Sequence, residues 1–199
     1  MSNIEIFENE RASNYDQFVG VWIPGYQRLI DLLPNLIGPA VPSKQDQLLV
    51  VGAGTGNEMK AIAKADAGWK ITGVDPSPDM IKIARTKLHA FASISLYEGT
   101  VEHLPATTLY DAATLFLVLH FLPDDGSKLA LLKNISTRLK PNASLYVLDI
   151  FGTPEEMHHN LGVLKKFVPA HLSSHEVDER IERIKQKIQY ISEARLTEL

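Results

Sequence analysis

Gly52, Gly54 and Gly56 stand at every second position directly after the apolar run Leu48-Leu49-Val50-Val51, and the chain continues into Asn57-Glu58-Met59-Lys60-Ala61-Ile62-Ala63-Lys64. Glycines spaced this closely permit a turn that no bulky residue could make, and they bare backbone N–H groups at the start of a helix. Such a turn suits a ligand with carboxylate, ribose or phosphate oxygens. A glycine turn alone is also compatible with a tight corner that binds nothing. Asp75 lies 21 residues after Gly54, at the end of a second apolar stretch, residues 69–74. A carboxylate at the tip of the strand beside the glycine turn can accept from both hydroxyls of a ribose, although a helix-capping or turn aspartate would fit the same place. His120 is a titratable side chain just past a further apolar stretch, residues 111–119.

The elements that must position these groups are legible from hydrophobic period. Four consecutive apolar residues before Gly52 read as a strand buried on both faces. Residues 69–74, 94–97, 111–119 and 145–150 read as four more strands, and residues 57–64, 78–90 and 125–139 as the helices between them. Ser77 or Pro78 starts the second of these helices. Strands alternating with helices predict a doubly wound, mainly parallel α/β sheet. Residues 1–45 read as a helical lid and connector, with helices over 14–33 broken at Pro24-Gly25 and a Pro-rich connector over 34–46. Tyr15, Phe18, Val19, Trp22 and Tyr26 crowd one region there, either as packing or as a lid whose aromatic faces suit a purine or a sulfonium. Residues 46–152 form the α/β core. Residues 153–199 read as helical, with Val177, Ile181, Ile184, Ile188 and Ile191 as one stripe that packs on its own domain or on a second copy.

Composition narrows the classes. The 199 residues are 45% hydrophobic and carry a net charge of -4 with acids and bases interspersed, so no footprint for nucleic acid or an anionic membrane is visible. There is no cysteine, which excludes disulfides, thiolate metal sites and cysteine nucleophiles. His158, His159, His171 and His175 lack accompanying carboxylate spacing, and no metal is expected. Residues 1–10 lack a basic segment followed by an apolar core, and no apolar run reaches the roughly 18 to 20 residues of a membrane span. The expectation is one soluble, cytoplasmic domain.

Together these motifs resemble the class I S-adenosylmethionine-dependent methyltransferases over residues 46–152. Gly52-Ala53-Gly54-Thr55-Gly56 is similar to the family's first motif, and Asp75-Pro76-Ser77-Pro78-Asp79-Met80 to its second, with Met80 packing on the adenine. Thr100 and Val101 fall where the family contacts the adenine, and Phe116, Leu117 and His120 where the fourth strand ends beside the methionine part. Lys140-Pro141-Asn142 resembles the Lys-Pro-Gly turn before the fifth strand. The resemblance implies S-adenosyl-L-methionine as cofactor, strand order 3-2-1-4-5 and in-line methyl transfer to a small-molecule acceptor. Two positions depart from the pattern: Val50 stands where the family usually has an acid, and Thr100 where it often has aspartate.

The flanks carry a second likeness. Ile23-Pro24-Gly25-Tyr26, Met157-His158-His159 and Glu193-Ala194-Arg195-Leu196 are similar to segments of bacterial carboxy-S-adenosylmethionine synthases, which implies dimerisation and gives Tyr26 and Arg195 to the bound cofactor derivative or substrate. Tyr15, Trp22 and Tyr26 are candidates for a wall around the acceptor. His120 is the candidate base for an acceptor that must lose a proton, and a structural or exposed histidine fits equally. The family's C-terminal antiparallel strand pair is expected to be missing through truncation, or its place covered by a helix or a second copy. Alternatives are a non-catalytic dimer that keeps the pocket, and a nicotinamide-dependent oxidoreductase, against which Asn57 stands in place of the last fingerprint glycine.

Overall fold

Leu48, Leu49 and Val50 are fully buried, as an unbroken apolar run requires of a strand covered on both faces. They form β1 (Gln47–Val51). A computed structural model describes this strand and the rest of residues 7, 9–43, 46–65, 68–169 and 171–199. Before β1 come α1 (Glu10–Ser13), α2 (Tyr15–Trp22) and α3 (Tyr26–Ile37). After it come α4 (Asn57–Ala65), β2 (Lys70–Asp75), α5 (Pro78–Leu88), β3 (Ile94–Glu98), β4 (Tyr110–Phe116), α6 (Ser127–Ser136) and β5 (Leu139–Leu148). Helices α7 (Pro154–Leu164), α8 (Ser174–Lys187) and α9 (Glu193–Glu198) follow.

The strands form one parallel sheet in the order β3-β2-β1-β4-β5, as expected. Alternate residues of β1 feed two cores. Leu48 and Val50 pack with Met59, Ile62 and Leu33, whereas Leu49 and Val51 pack with Val101, Leu115 and Ile135. Strand order reverses between β1 and β4, and this opens the crevice at their carboxyl ends where ligands of such sheets bind. Among the described residues no helix is long and apolar enough to cross a membrane.

Several boundaries differ from expectation for local reasons. Helix α3 runs through Pro34 to Ile37, because Ile30, Leu33 and Ile37 continue its buried face past the proline. Strand β4 stops at Phe116 rather than 119, since Leu117 adopts φ 58° and a single 3-10 turn covers Leu119–Phe121. Strand β5 begins earlier, at Leu139, and the register jump between Tyr110 and Ala112 accommodates Lys140-Pro141-Asn142 as a bulge with Asn142 at φ 64°. The apolar stripe of α8 packs within the chain, but the helix ends at Lys187. Ile188 is extended and Ile191 bridges to Phe151 instead of extending the stripe.

Gly52 shows how closely the crevice walls approach. It has φ 73°, and a Cβ there would lie 2.3 Å from Val118 Cγ2. Gly52→Ala combines left-handed strain with overpacking, and is expected to lower stability by about 2–4 kcal/mol in urea unfolding.

Candidate functional site

The glycine turn, the tip of β2 and the segment after β4 meet at the crevice. Asp75 accepts from the Gly54 N–H at 2.8 Å through one oxygen and from the Ser77 N–H at 2.9 Å through the other. Burial raises its pKa, and these two donors oppose the rise. A carboxylate has about four acceptor positions, so capacity for two further donors remains. Ser77, not Asp75, caps α5: its hydroxyl accepts from the Met80 N–H. Gly54 sits at φ 51°, and a Cβ there would meet nothing nearer than the Gly52 oxygen at 4.0 Å, so the backbone at the turn faces open space.

Helices α2 and α3 stand over this turn. Asp16 accepts from Thr55 Oγ1 at 2.5 Å, from Asn57 Nδ2 at 2.9 Å and from Lys87 Nζ at 2.6 Å. Burial opposes its charge, but these bonds, led by Lys87, outweigh it and hold the carboxyl below its usual range. Tyr26 is buried, and its hydroxyl accepts from Asn57 Nδ2 at 3.4 Å. Burial pushes the Tyr26 phenol up to about 12 and raises that of Tyr15 further. Phe7 stacks edge-on against both Tyr15 and Phe121, and its carbonyl accepts from the Ser77 hydroxyl. Residues from the N-terminal segment therefore span from α5 to the turn after β4. Trp22 is not part of this group: it lies two helical turns, about 10 Å, beyond Tyr15. Its ring packs with Met157, Leu161, Val177 and Ile181 beneath Arg180.

A second carboxylate sits below the tyrosines. Glu58, in the first turn of α4, is 7% exposed and accepts from Thr114 Oγ1 of β4 at 3.0 Å. Burial pushes its pKa up to about 8 despite that hydrogen bond.

At the tips of β4 and β5, His120 Nδ1 lies 2.5 Å from Asp149 Oδ1, with side chains 6% and 1% exposed. Asp149 also accepts from the backbone N–H groups of Val118, Leu119 and Ile150 at 2.7–3.0 Å. An ionised carboxylate only accepts, so Nδ1 carries the proton, and in the neutral ring that tautomer has Nε2 as its acceptor. The C-terminal segment closes over this turn: the Gln189 N–H donates to the His120 carbonyl at 2.7 Å, and buried Lys128 donates to the carbonyls of Leu119 and Gln189. Burial lowers the Lys128 pKa against the opposing fields of Asp149 and Asp124.

The structure brings Gly52, Ala53, Gly54, Asp75, Pro76, Tyr15, Tyr26, Leu117 and His120 to the crevice elements, and separates others. Met80 and Val101 are buried, at 2% and 1% exposure. Thr100 spends its hydroxyl locally, 3.0 Å from His103 Nδ1 in a capping box. Phe116 packs against the core that holds Val50, and Leu117 against Val19, Tyr26 and Ile30. Arg195 is not at the crevice's glycine side: its guanidinium is held by Asp124 and Glu198. Sequence reasoning missed Glu58, Asp149 and Asp16. Only Asp149 carried a usable signal, as an acid at a strand tip like Asp75.

A family model described as a methyltransferase domain matches residues 49–145, a span that contains the glycine turn, Asp75, Glu58 and His120. Over this span the chain is similar to the methyltransferase domains that use S-adenosylmethionine. The chain is 28% identical over 165 residues to an uncharacterised methyltransferase of Oceanobacillus iheyensis, covering 82% of this chain and 74% of the relative. It is 28% identical over 150 residues to a carboxy-S-adenosyl-L-methionine synthase of Glaesserella parasuis, covering 73% of this chain and 61% of that protein. The plantazolicin methyltransferase BpumL, solved with a pentazolic desmethylPZN analog and S-adenosylhomocysteine, has a similar fold. Its TM-score is 0.70 at 15% identity, over 96% of this chain and 68% of that one. The residues present fit the family cofactor: the backbone at Gly54 is open, and Asp75 keeps acceptor capacity for two hydroxyls.

Proposed function

We propose that this chain transfers a methyl group from S-adenosylmethionine to a small-molecule acceptor by in-line displacement, with His120 as the base. The observation that carries the reading is the His120–Asp149 pair at the tips of β4 and β5, on the segment whose Val118 touches the glycine turn. When bound, S-adenosylmethionine supplies a methyl group already activated by its positive sulfur. The protein then needs mainly to orient the partners at about 3 to 3.5 Å and to exclude water. Asp75 and the glycine turn bind the nucleoside end. Tyr15 and Tyr26 roof the crevice and keep water out. Asp149 holds the Nδ1 proton of His120, so that Nε2 takes the proton lost by the acceptor as it attacks. The names of the relatives support methyl transfer, and the small-molecule complex of BpumL supports the acceptor class. Nothing at Arg195 supports a synthase, since that guanidinium is already paired with Asp124.

Calorimetric titration with S-adenosylhomocysteine tests the cofactor site. Wild-type protein is expected to bind, and Asp75→Ala to bind at least tenfold more weakly, about 1.4 kcal/mol or more. Absence of a binding signal from wild-type protein, or equal affinity in the variant, would reject this arrangement. A homodimer through the helical segments, the other expectation, is read by sedimentation velocity on the same samples.

A further inference from the structure

Glu58 is a buried carboxylate whose one hydrogen-bond partner among the described residues is a neutral hydroxyl, Thr114 Oγ1. Thr114 sits directly across the sheet from Val50 in the β1–β4 register. Val50 stands where the methyltransferase resemblance implies an acid. The carboxylate of Glu58 thus arrives from α4 at the level of β1 where that acid would stand, one strand over. A buried carboxylate with no cation beside it is costly to ionise, and a cation that meets it favours the charged form. Lys87, which reaches the glycine turn, is bound to Asp16, Thr55 and Asn57.

We propose that Glu58 is the anion that binds the α-ammonium group at the amino-acid end of the cofactor, a part played from α4 because position 50 of β1 is valine. The inference rests on the cofactor reading above. An ammonium has N–H donors for the second carboxylate oxygen, whereas a sulfonium has none, so the ammonium is the group that satisfies both charge and hydrogen bonding. Tyr15 and Asp16 of α2, Tyr26 of α3, Asp75 of β2, and His120 with Asp149 at the tips of β4 and β5 are the other titratable groups around the crevice. Both phenols stay neutral near pH 7, because burial raises them, and Asp16 stays ionised. With its pKa near 8, Glu58 holds a proton in the free protein at pH 7 and gives it up when a cation binds.

The test compares two ligands on wild-type protein and Glu58→Gln by calorimetry at pH 7, in phosphate and in Tris. S-adenosylhomocysteine carries the ammonium; 5′-methylthioadenosine lacks the whole amino-acid end. The variant is expected to lose at least tenfold in affinity for the first and to stay within twofold for the second, which also verifies its fold. Buffer dependence of the heat is expected to report release of about one proton by wild-type protein and almost none by the variant. Unchanged affinity for S-adenosylhomocysteine, equal losses for both ligands, or proton release that persists in Glu58→Gln would overturn the role of Glu58 and leave the cofactor site standing. Wild-type protein that binds neither ligand would overturn both.

Discussion

Asp149→Ala is expected to lower stability by roughly 3–6 kcal/mol, among the largest effects of any single substitution in this fold. The carboxylate accepts from three backbone N–H groups and from His120, and its side chain is 1% exposed. Alanine leaves the N–H groups of Val118, Leu119 and Ile150 buried without partners, at about 1–3 kcal/mol each, with partial relief as water reaches the turn. Urea unfolding gives the number directly. Asp149→Asn separates stability from chemistry. Its one amide oxygen can keep Val118 and Leu119, while its NH2 group donates to His120 Nδ1. The ring proton of a neutral histidine must then move to Nε2, which removes the acceptor nitrogen that the proposed base requires. The expected result is a folded protein with a 15N shift pattern of the opposite tautomer. Once an acceptor is in hand, kcat should be about 10²- to 10⁴-fold lower.

The second large effect is the pH dependence that Glu58 imposes. Its carboxyl is raised from 4.5 in the unfolded chain to about 8 in the fold. The folded protein therefore keeps a proton that the unfolded chain releases as pH rises. The stability associated with this group is fully present below about pH 4.5 and is lost progressively as pH rises through 8. Between pH 5 and pH 8 the loss is on the order of 4 kcal/mol. For a chain of this size that corresponds to roughly 10 °C in Tm. Glu58→Gln should remove most of that slope, matching wild-type protein at pH 5 and exceeding it at pH 8. Equal slopes in thermal melts of the two proteins would show that Glu58 is not the group responsible.

What was legible in the sequence was local. The glycine turn, Asp75 at its strand tip and the cap at Ser77 rest on spacings within one strand–turn–helix unit, and each is found where expected, as is the strand order that the family resemblance implied. Glu58 looked like an ordinary acid in the first turn of a helix, where negative charge complements the dipole. Its burial depends on Thr114, 56 positions later. Asp149 matters because β5 lies beside β4, which no local pattern states. The stripe through Ile188 and Ile191 kept helical spacing, but a backbone bond from Gln189 to His120 draws the chain out of the helix. Leu117 holds a left-handed conformation that its side chain does not advertise; packing against Val19, Tyr26 and Ile30 compensates for it.

The bonds that close the crevice from either flank share a property with consequences for how the chain folds. Asn9 reaches Asp79 and Asp16 reaches Lys87 across 70 and 71 positions, while Lys128 reaches Gln189 across 61 and Arg195 reaches Asp124 across 71. Such long loops make contacts that reward ordering only after the central sheet is in place. The flanking helices are therefore expected to dock last, and the crevice to gain its roof and its C-terminal cover in the final kinetic phase. In refolding experiments, recovery of far-UV dichroism from the sheet and its helices should run ahead of the ability to bind S-adenosylhomocysteine.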